Sequence, residues 1–185
     1  MSRRKKKPDP FAGLLLVDKP PSWTSHDVVA KIRNHFKLQK VGHAGTLDPM
    51  ATGLLILLIG RATKRSAEIM QGDKTYSGSM LLGRITSSQD IEGDLLEERD
   101  ASAISRHQID HILPQFMGSI EQIPPMVSAI KKDGVALYKM ARKGVEIERE
   151  ARPVEIHSLD ITSFDSPYIH FRVVCSKGTY VRTLA

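Results

Sequence analysis

Apolar positions along the chain change period several times, and each change marks an expected element boundary. Phe11 to Val17 is a short apolar run that predicts a buried strand, and Pro20 and Pro21 stop it by fixing their own φ and restricting their predecessors. Behind Thr24 or Ser25, either of which can cap a helix, Val28, Val29, Ile32 and Phe36 recur at helical spacing, predicting a helix that ends near Lys37. Val41 to Gly53 carries three glycines and an Asp-Pro step without sustained periodicity, so it is expected as loop. Leu54 to Ile59 is continuously apolar between Gly53 and Gly60, the pattern of a strand buried on both faces, and a short helix is expected from about Ala62 to Gln71.

Lys74 to Leu82 has strand character, whereas Gly83 to Gly93 is polar and predicts a surface loop. Ser105 can cap a helix whose apolar stripe is Ile109, Ile112, Leu113 and Phe116, and Gly118 and Pro124-Pro125 break the chain after it. Val127 to Ile130 is expected as a strand, Asp133 to Arg142 as a helix ended by Gly144, and Val154 to Ile161 as a strand. The plainest strand is the last: Ile169, Phe171, Val173 and Cys175 alternate with His170, Arg172 and Val174, as in a sheet with one buried face. Gly178 to Ala185 reads as a glycine turn and the first turn of a helix. Strands outnumber long helices without strict alternation, which points to an α+β fold with a mixed, largely antiparallel sheet flanked by helices.

Composition adds bounds. The 185 residues, 41% hydrophobic and 26% charged, suit one substantial globular domain over residues 11–185 behind a basic, disordered tail over residues 1–10. No apolar run is long enough for a membrane-spanning helix, and the N-terminus lacks the pattern of a signal peptide, so a cytoplasmic protein is expected. The lone Cys175 provides neither an intrachain disulfide nor a zinc-binding spacing. Net charge is +6, but Arg3, Arg4, Lys5, Lys6 and Lys7 supply five of those charges, so the global charge says little about the body.

Phosphate-loop, dinucleotide, zincin and nucleophile-elbow patterns are missing from the sequence, as is the zinc deaminase signature. The informative stretch is Gly42-His43-Ala44-Gly45-Thr46-Leu47-Asp48-Pro49-Met50-Ala51-Thr52-Gly53. Taken by itself, an Asp before Pro in a glycine-rich loop is the ordinary turn residue, and a loop histidine is the ordinary surface one.

The stretch 42–64, GHAGTLDPMATGLLILLIGRATK, resembles the catalytic block of the TruB-type tRNA pseudouridine synthases. Lys19-Pro20 with Thr24-Ser25 is similar to the family's first motif, and Lys74-Thr75-Tyr76 stands at its next strand. Pro124-Pro125, Ser128-Ala129, Lys131, Gly134, Tyr138 and Ala141-Arg142 resemble its PPxxSAxKxxGxxxYxxAR segment, and Ser176 to Arg182 its SKGTYxR motif. The resemblance spans nearly the whole chain and implies the pseudouridine synthase catalytic fold, with isomerisation of the T-arm uridine conventionally numbered 55 and no metal or cofactor. It makes Asp48 the nucleophile, attacking at sugar or base, and Arg182 the cation that keeps it ionised and aimed. Tyr76 becomes the stacking and proton-handling tyrosine, Tyr180 a second tyrosine of the pocket, and His43 the residue that fills the space of the extruded base. Lys19, Arg61, Lys64, Lys131, Lys132, Arg142 and Lys143 become candidate backbone contacts to tRNA.

Two departures stand out: Ala44 where the family has Thr, and Thr86-Ser87-Ser88-Gln89-Asp90 where it has TDTxD, which removes an acidic residue from a loop near the RNA. Family members continue beyond Ala185, so the catalytic fold is expected to be truncated and the C-terminal RNA-binding domain absent. The protein is expected to be a monomer. The competing reading is an RNA-binding or tRNA-folding module of the same fold with little catalysis.

Overall fold

The computed structural model describes residues 11–185 except 129, 133 and 142, and leaves out the side chains of Lys131, Lys132 and Lys139. The tail over residues 1–10, Arg142 and the side chain of Lys131 therefore lie outside the described residues. The chain divides into two compact units, one ending at Gly72 and the other beginning at Asp73.

In the first unit β1 (Gly13–Lys19) is followed by α1 (Ser25–His35), β2 (Val41–His43), β3 (Gly53–Ile59), a 3-10 turn (Gly60–Arg65) and α2 (Ser66–Ile69). The strands form an antiparallel sheet in the order β1-β3-β2, with Leu15 opposite Leu57 and Val17 opposite Leu55. Those four share a face with Lys19 because alternate residues of a strand point the same way. Val28 and Val29 of α1 pack with Leu55 and Leu57, and Leu15, Val17, Ile32, Val41 and Leu47 surround them. A reciprocal capping box starts α1: the Thr24 hydroxyl accepts from the Asp27 N–H while the Asp27 carboxylate accepts from the Thr24 N–H.

In the second unit the strands are β4 (Lys74–Leu81), β5 (Arg84–Thr86), β6 (Leu95–Glu98), β7 (Gly118–Gln122), β8 (Lys131–Lys132), β9 (Val135–Ala136), β10 (Arg152–Asp165) and β11 (Tyr168–Cys175). The helices are α3 (Arg106–Ile112), α4 (Leu137–Ala141) and α5 (Val181–Leu184). The principal sheet runs β4-β11-β10-β7, and every pairing among the described residues of both units is antiparallel. Its core is Ile156, Phe171, Val173 and Cys175, the predicted inward face of the last strand joined by one residue of β10. This is the α+β architecture expected from the sequence.

Several boundaries move, each for a physical reason. Val41–His43 is a short strand rather than loop, because β3 offers an unpaired edge on which even a glycine-bearing segment can satisfy its backbone. The strand expected to be buried on both faces is so in its second half, where Leu57, Leu58 and Ile59 are all buried, whereas Leu54 at its start is 63% exposed. Phe36 leaves the buried face of α1 because it is the C-cap residue. The surface loop over residues 83–93 contains β5, held to β6 by pairing that its polar composition concealed. Gly118–Gln122 is a strand that its own residues do not announce, and the described residues Val127, Ser128 and Ile130 do not form the strand expected there. The helix expected over residues 133–142 contracts to α4 because Val135 and Ala136 pair with β8; its expected ends, Asp133 and Arg142, lie outside the described residues. Pro114 turns the last part of the Ser105 helix into a 3-10 segment, Leu113–Phe116, and leaves Ile112 largely exposed.

Ile156 is 1% exposed at the centre of the β10-β11 core. Truncation of Ile156→Ala is expected to cost about 2–5 kcal/mol through lost burial and the cavity left behind, read from chemical denaturation midpoints at unchanged denaturant slope.

Candidate active site

The residues singled out by the sequence fall into two groups, one on each unit. In the first unit the loop between β2 and β3 carries Asp48, and both neighbours of Asp48 are tied down by polar side chains from elsewhere in that unit. The Leu47 N–H donates to Ser25 Oγ at 3.0 Å, and the Leu47 side chain joins the apolar core. On the other side the Lys19 ammonium donates to the Pro49 carbonyl at 2.9 Å, and also to Pro20 O at 2.9 Å and Trp23 O at 2.6 Å. Lys19 is 0% exposed and Ser25 only 2%. Asp18 completes the anchoring, accepting from the Gly53 N–H at 3.1 Å.

Lys19 is therefore not the contact for the RNA backbone that its motif implied, because its charge is enclosed and its donors are engaged with the main chain. A buried ammonium needs this many carbonyl dipoles to offset its lost hydration. Glycine is required at both ends of the loop, since Gly45 and Gly53 each have φ of +107°, where a side chain is strained even though open space surrounds both positions. Asp48 itself is half-buried, reachable from solvent on a backbone that cannot drift. His43 Nδ1 lies 2.6 Å from Gly45 O. A carbonyl only accepts, so Nδ1 carries the hydrogen and the ring is oriented by the loop it precedes. Arg61 and Lys64 are exposed and available to an anionic ligand.

In the second unit Tyr76 is half-buried on β4, opposite Val173, and its ring packs against the sheet core. Tyr180 is the N-cap residue of α5, and the Arg182 guanidinium carbon lies 5.9 Å from the centre of its ring. Within this unit Arg182 pairs with Asp90 at 3.3 Å, and their side chains are 9% and 8% exposed. Arg182 also donates to the carbonyls of Ser88 and Val127. Asp90 accepts through its second oxygen from Ser88 Oγ at 2.5 Å and from the Glu92 N–H at 3.0 Å. The departure at Thr86 to Asp90 thus spares the carboxylate that matters structurally, and a segment expected to lie on the surface holds a buried ion pair. The last Asp of the TDTxD pattern was the signal for it in the sequence. Gln122, which nothing in the sequence marked, is 6% exposed and bonds the main chain of Tyr180. Lys143 is exposed. Among the described residues no three His, Cys, Asp or Glu side chains form a metal-holding group.

Comparison with known proteins places these features in one family. The family model described as TruB family pseudouridylate synthase (N terminal domain) matches residues 33–181. The tRNA pseudouridine synthase B of Opitutus terrae is 52% identical over 173 residues, covering 94% of this chain and 72% of the relative. That of Syntrophotalea carbinolica is 49% identical over 172 residues, covering 93% of this chain but 56% of the relative. Among solved structures, a chain of a Cbf5-Nop10-Gar1 complex superposes with a TM-score of 0.69 at 30% identity, covering 93% of this chain and 42% of that one. A chain of an H/ACA RNP bound to a substrate RNA containing 2'-deoxyuridine gives a TM-score of 0.65 at 26% identity, covering 93% of this chain and 40% of that one. The chain thus spans less than two thirds of the second relative and of both solved chains.

Two substitutions test the anchoring. Lys19→Met leaves three carbonyls without the donor they share, and a loss of about 3 kcal/mol or more is expected in chemical denaturation. Asp90→Asn removes the buried carboxylate that faces Arg182 and is expected to destabilise by about 3 kcal/mol by the same measurement.

Proposed function

Since the chain belongs to the TruB family of pseudouridylate synthases, we propose that it isomerises a uridine to pseudouridine in the T-arm loop of tRNA, at position 55, with Asp48 as the nucleophile. The observation that carries this reading is the Asp48 loop: a half-buried carboxylate whose two neighbours are pinned by Ser25 and Lys19. Covalent attack needs the nucleophile held in one place, because misplacement by an ångström is expensive in rate. Attack by the carboxylate, at the sugar or at the base, divides glycosidic cleavage and reattachment through carbon into smaller steps, and the reaction neither gains nor loses atoms.

The target uridine must leave its stack before a side chain can reach it, at a cost of a few kcal/mol that protein contacts offset. In this reading Tyr76 offers a ring on which the extruded base stacks and a hydroxyl for proton transfer, while Tyr180 lines the pocket. Arg182 is the cation of the site, and His43 fills the space the base vacates. Arg61, Lys64 and Lys143 meet phosphates, which orient the RNA without reading its sequence. Lys131 belongs to the same proposal as a substrate contact. A monomer working in the cytoplasm without cofactor completes it.

The test is single-turnover conversion of uridine in a T-arm stem-loop by the chain and by Asp48→Asn. Conversion by the parent and a loss of about a thousandfold or more in the variant, with stem-loop binding retained, is expected. Equal conversion by both would remove Asp48 from its role. Binding without conversion by the parent would favour the RNA-binding module.

A further inference from the structure

Gln122 ends β7 on the inward side of the sheet, a position where the alternation of that strand calls for an apolar residue. A buried carboxamide is costly unless both its ends are bonded, and here both ends reach the same residue. Gln122 Nε2 donates to Tyr180 O at 3.0 Å, and Gln122 Oε1 accepts from the Tyr180 N–H at 2.8 Å. The side chain thus reproduces one rung of a β-ladder between the end of β7 and the residue preceding α5.

That rung matters because Tyr180, the N-cap residue of α5, makes no side-chain cap of its own. Gln122 supplies from β7 a fixed point at the start of the turn that carries Tyr180 and Arg182. The carbonyl of Tyr180 already accepts from the Thr183 and Leu184 N–H groups at 3.1 Å each, so Gln122 grips the peptide group from which the turn is built. Further along the chain, the Val127 carbonyl accepts from Arg182. The chain from Gln122 to Val127 therefore holds the Tyr180–Arg182 turn at two points, with the rigid Pro124-Pro125 step between them.

We infer that Gln122 is a positioning residue of the active site: its two-way hydrogen bond to the Tyr180 main chain sets where the Tyr180 ring and the Arg182 guanidinium stand. This rests on the proposed isomerase function, since positioning has meaning only if those two groups serve the reaction.

Gln122→Met keeps the bulk and removes both bonds. Gln122→Glu keeps an acceptor but, when ionised, has no donor for Tyr180 O; protonation restores the donor, and burial favours the protonated form at mildly acidic pH. The experiment measures single-turnover conversion of the stem-loop at saturating RNA from about pH 8 to about pH 5.5. Gln122→Met is expected to be slower by about tenfold or more, with stem-loop affinity within about threefold of the parent. Gln122→Glu is expected to match Gln122→Met at the alkaline end and to gain about fivefold or more on it at the acidic end. The ratio of the two variants removes the pH dependence they share with the parent. If Gln122→Met melts below the assay temperature, the ratio of Gln122→Glu to the parent across the same range carries the test.

Amide exchange of Tyr180 is read in parallel, with protection expected in the parent and lost in Gln122→Met. Parent-like conversion by Gln122→Met, a flat pH ratio for Gln122→Glu, or an unprotected Tyr180 N–H in the parent would overturn the inference. Absence of conversion by the parent with Tyr180 protected would count against the proposed function and leave the clasp standing as structure.

Discussion

The buried ammonium of Lys19 is the interaction on which the first unit depends. It stands at the end of β1, and the carbonyls it binds belong to the turn leading into α1 and to the loop between β2 and β3. Three chain segments that share no regular hydrogen-bonding ladder are joined at one charge. Because each carbonyl offsets part of the hydration that the ammonium has lost, moving any of the three raises the cost of burying the others. The loop is thereby rigid where it passes Asp48, and Ser25 with Leu47 makes it rigid on the other side.

The second unit solves a similar problem with opposite charges. Burying an arginine and an aspartate is unfavourable unless the remaining donors and acceptors are also engaged. Here Ser88, Glu92 and Val127 each engage one of them. The consequence is that a polar stretch, Thr86 to Asp90, turns one carboxylate inward while Ser87 and Gln89 stay exposed. Thr183 adds a further tie to it by donating to Gln89 at 2.6 Å. The turn that opens α5 is thus tied to the side chains around it.

How far the sequence could be read depends on where the ordering forces lie. The last strand was legible because one buried face imposes a period of two, and α1 because its cap and apolar stripe are local. The short strands β2, β5 and β7 were not, since each owes its conformation to a partner strand rather than to its own residues. Among the candidate residues, Asp48, Tyr76, Tyr180, Arg182 and His43 could be named from motifs. Lys19 could be named but not its kind of contact, because a lysine in a motif looks the same whether its ammonium meets phosphate or carbonyls. Asp90 was visible as the last residue of a recognisable segment. Gln122 was not, since a glutamine at the end of a strand carries no local signature.

The sequence by itself determined the α+β class, the family and the residue types available for chemistry, because periodicity, caps and motifs are properties of neighbours along the chain. Only the tertiary structure decided which polar side chains are buried and what they bind: Lys19 on three carbonyls, Asp90 on Arg182, Gln122 on Tyr180. The free energy of a buried polar group is set by partners far away in sequence, and those partners exist only once the chain has folded.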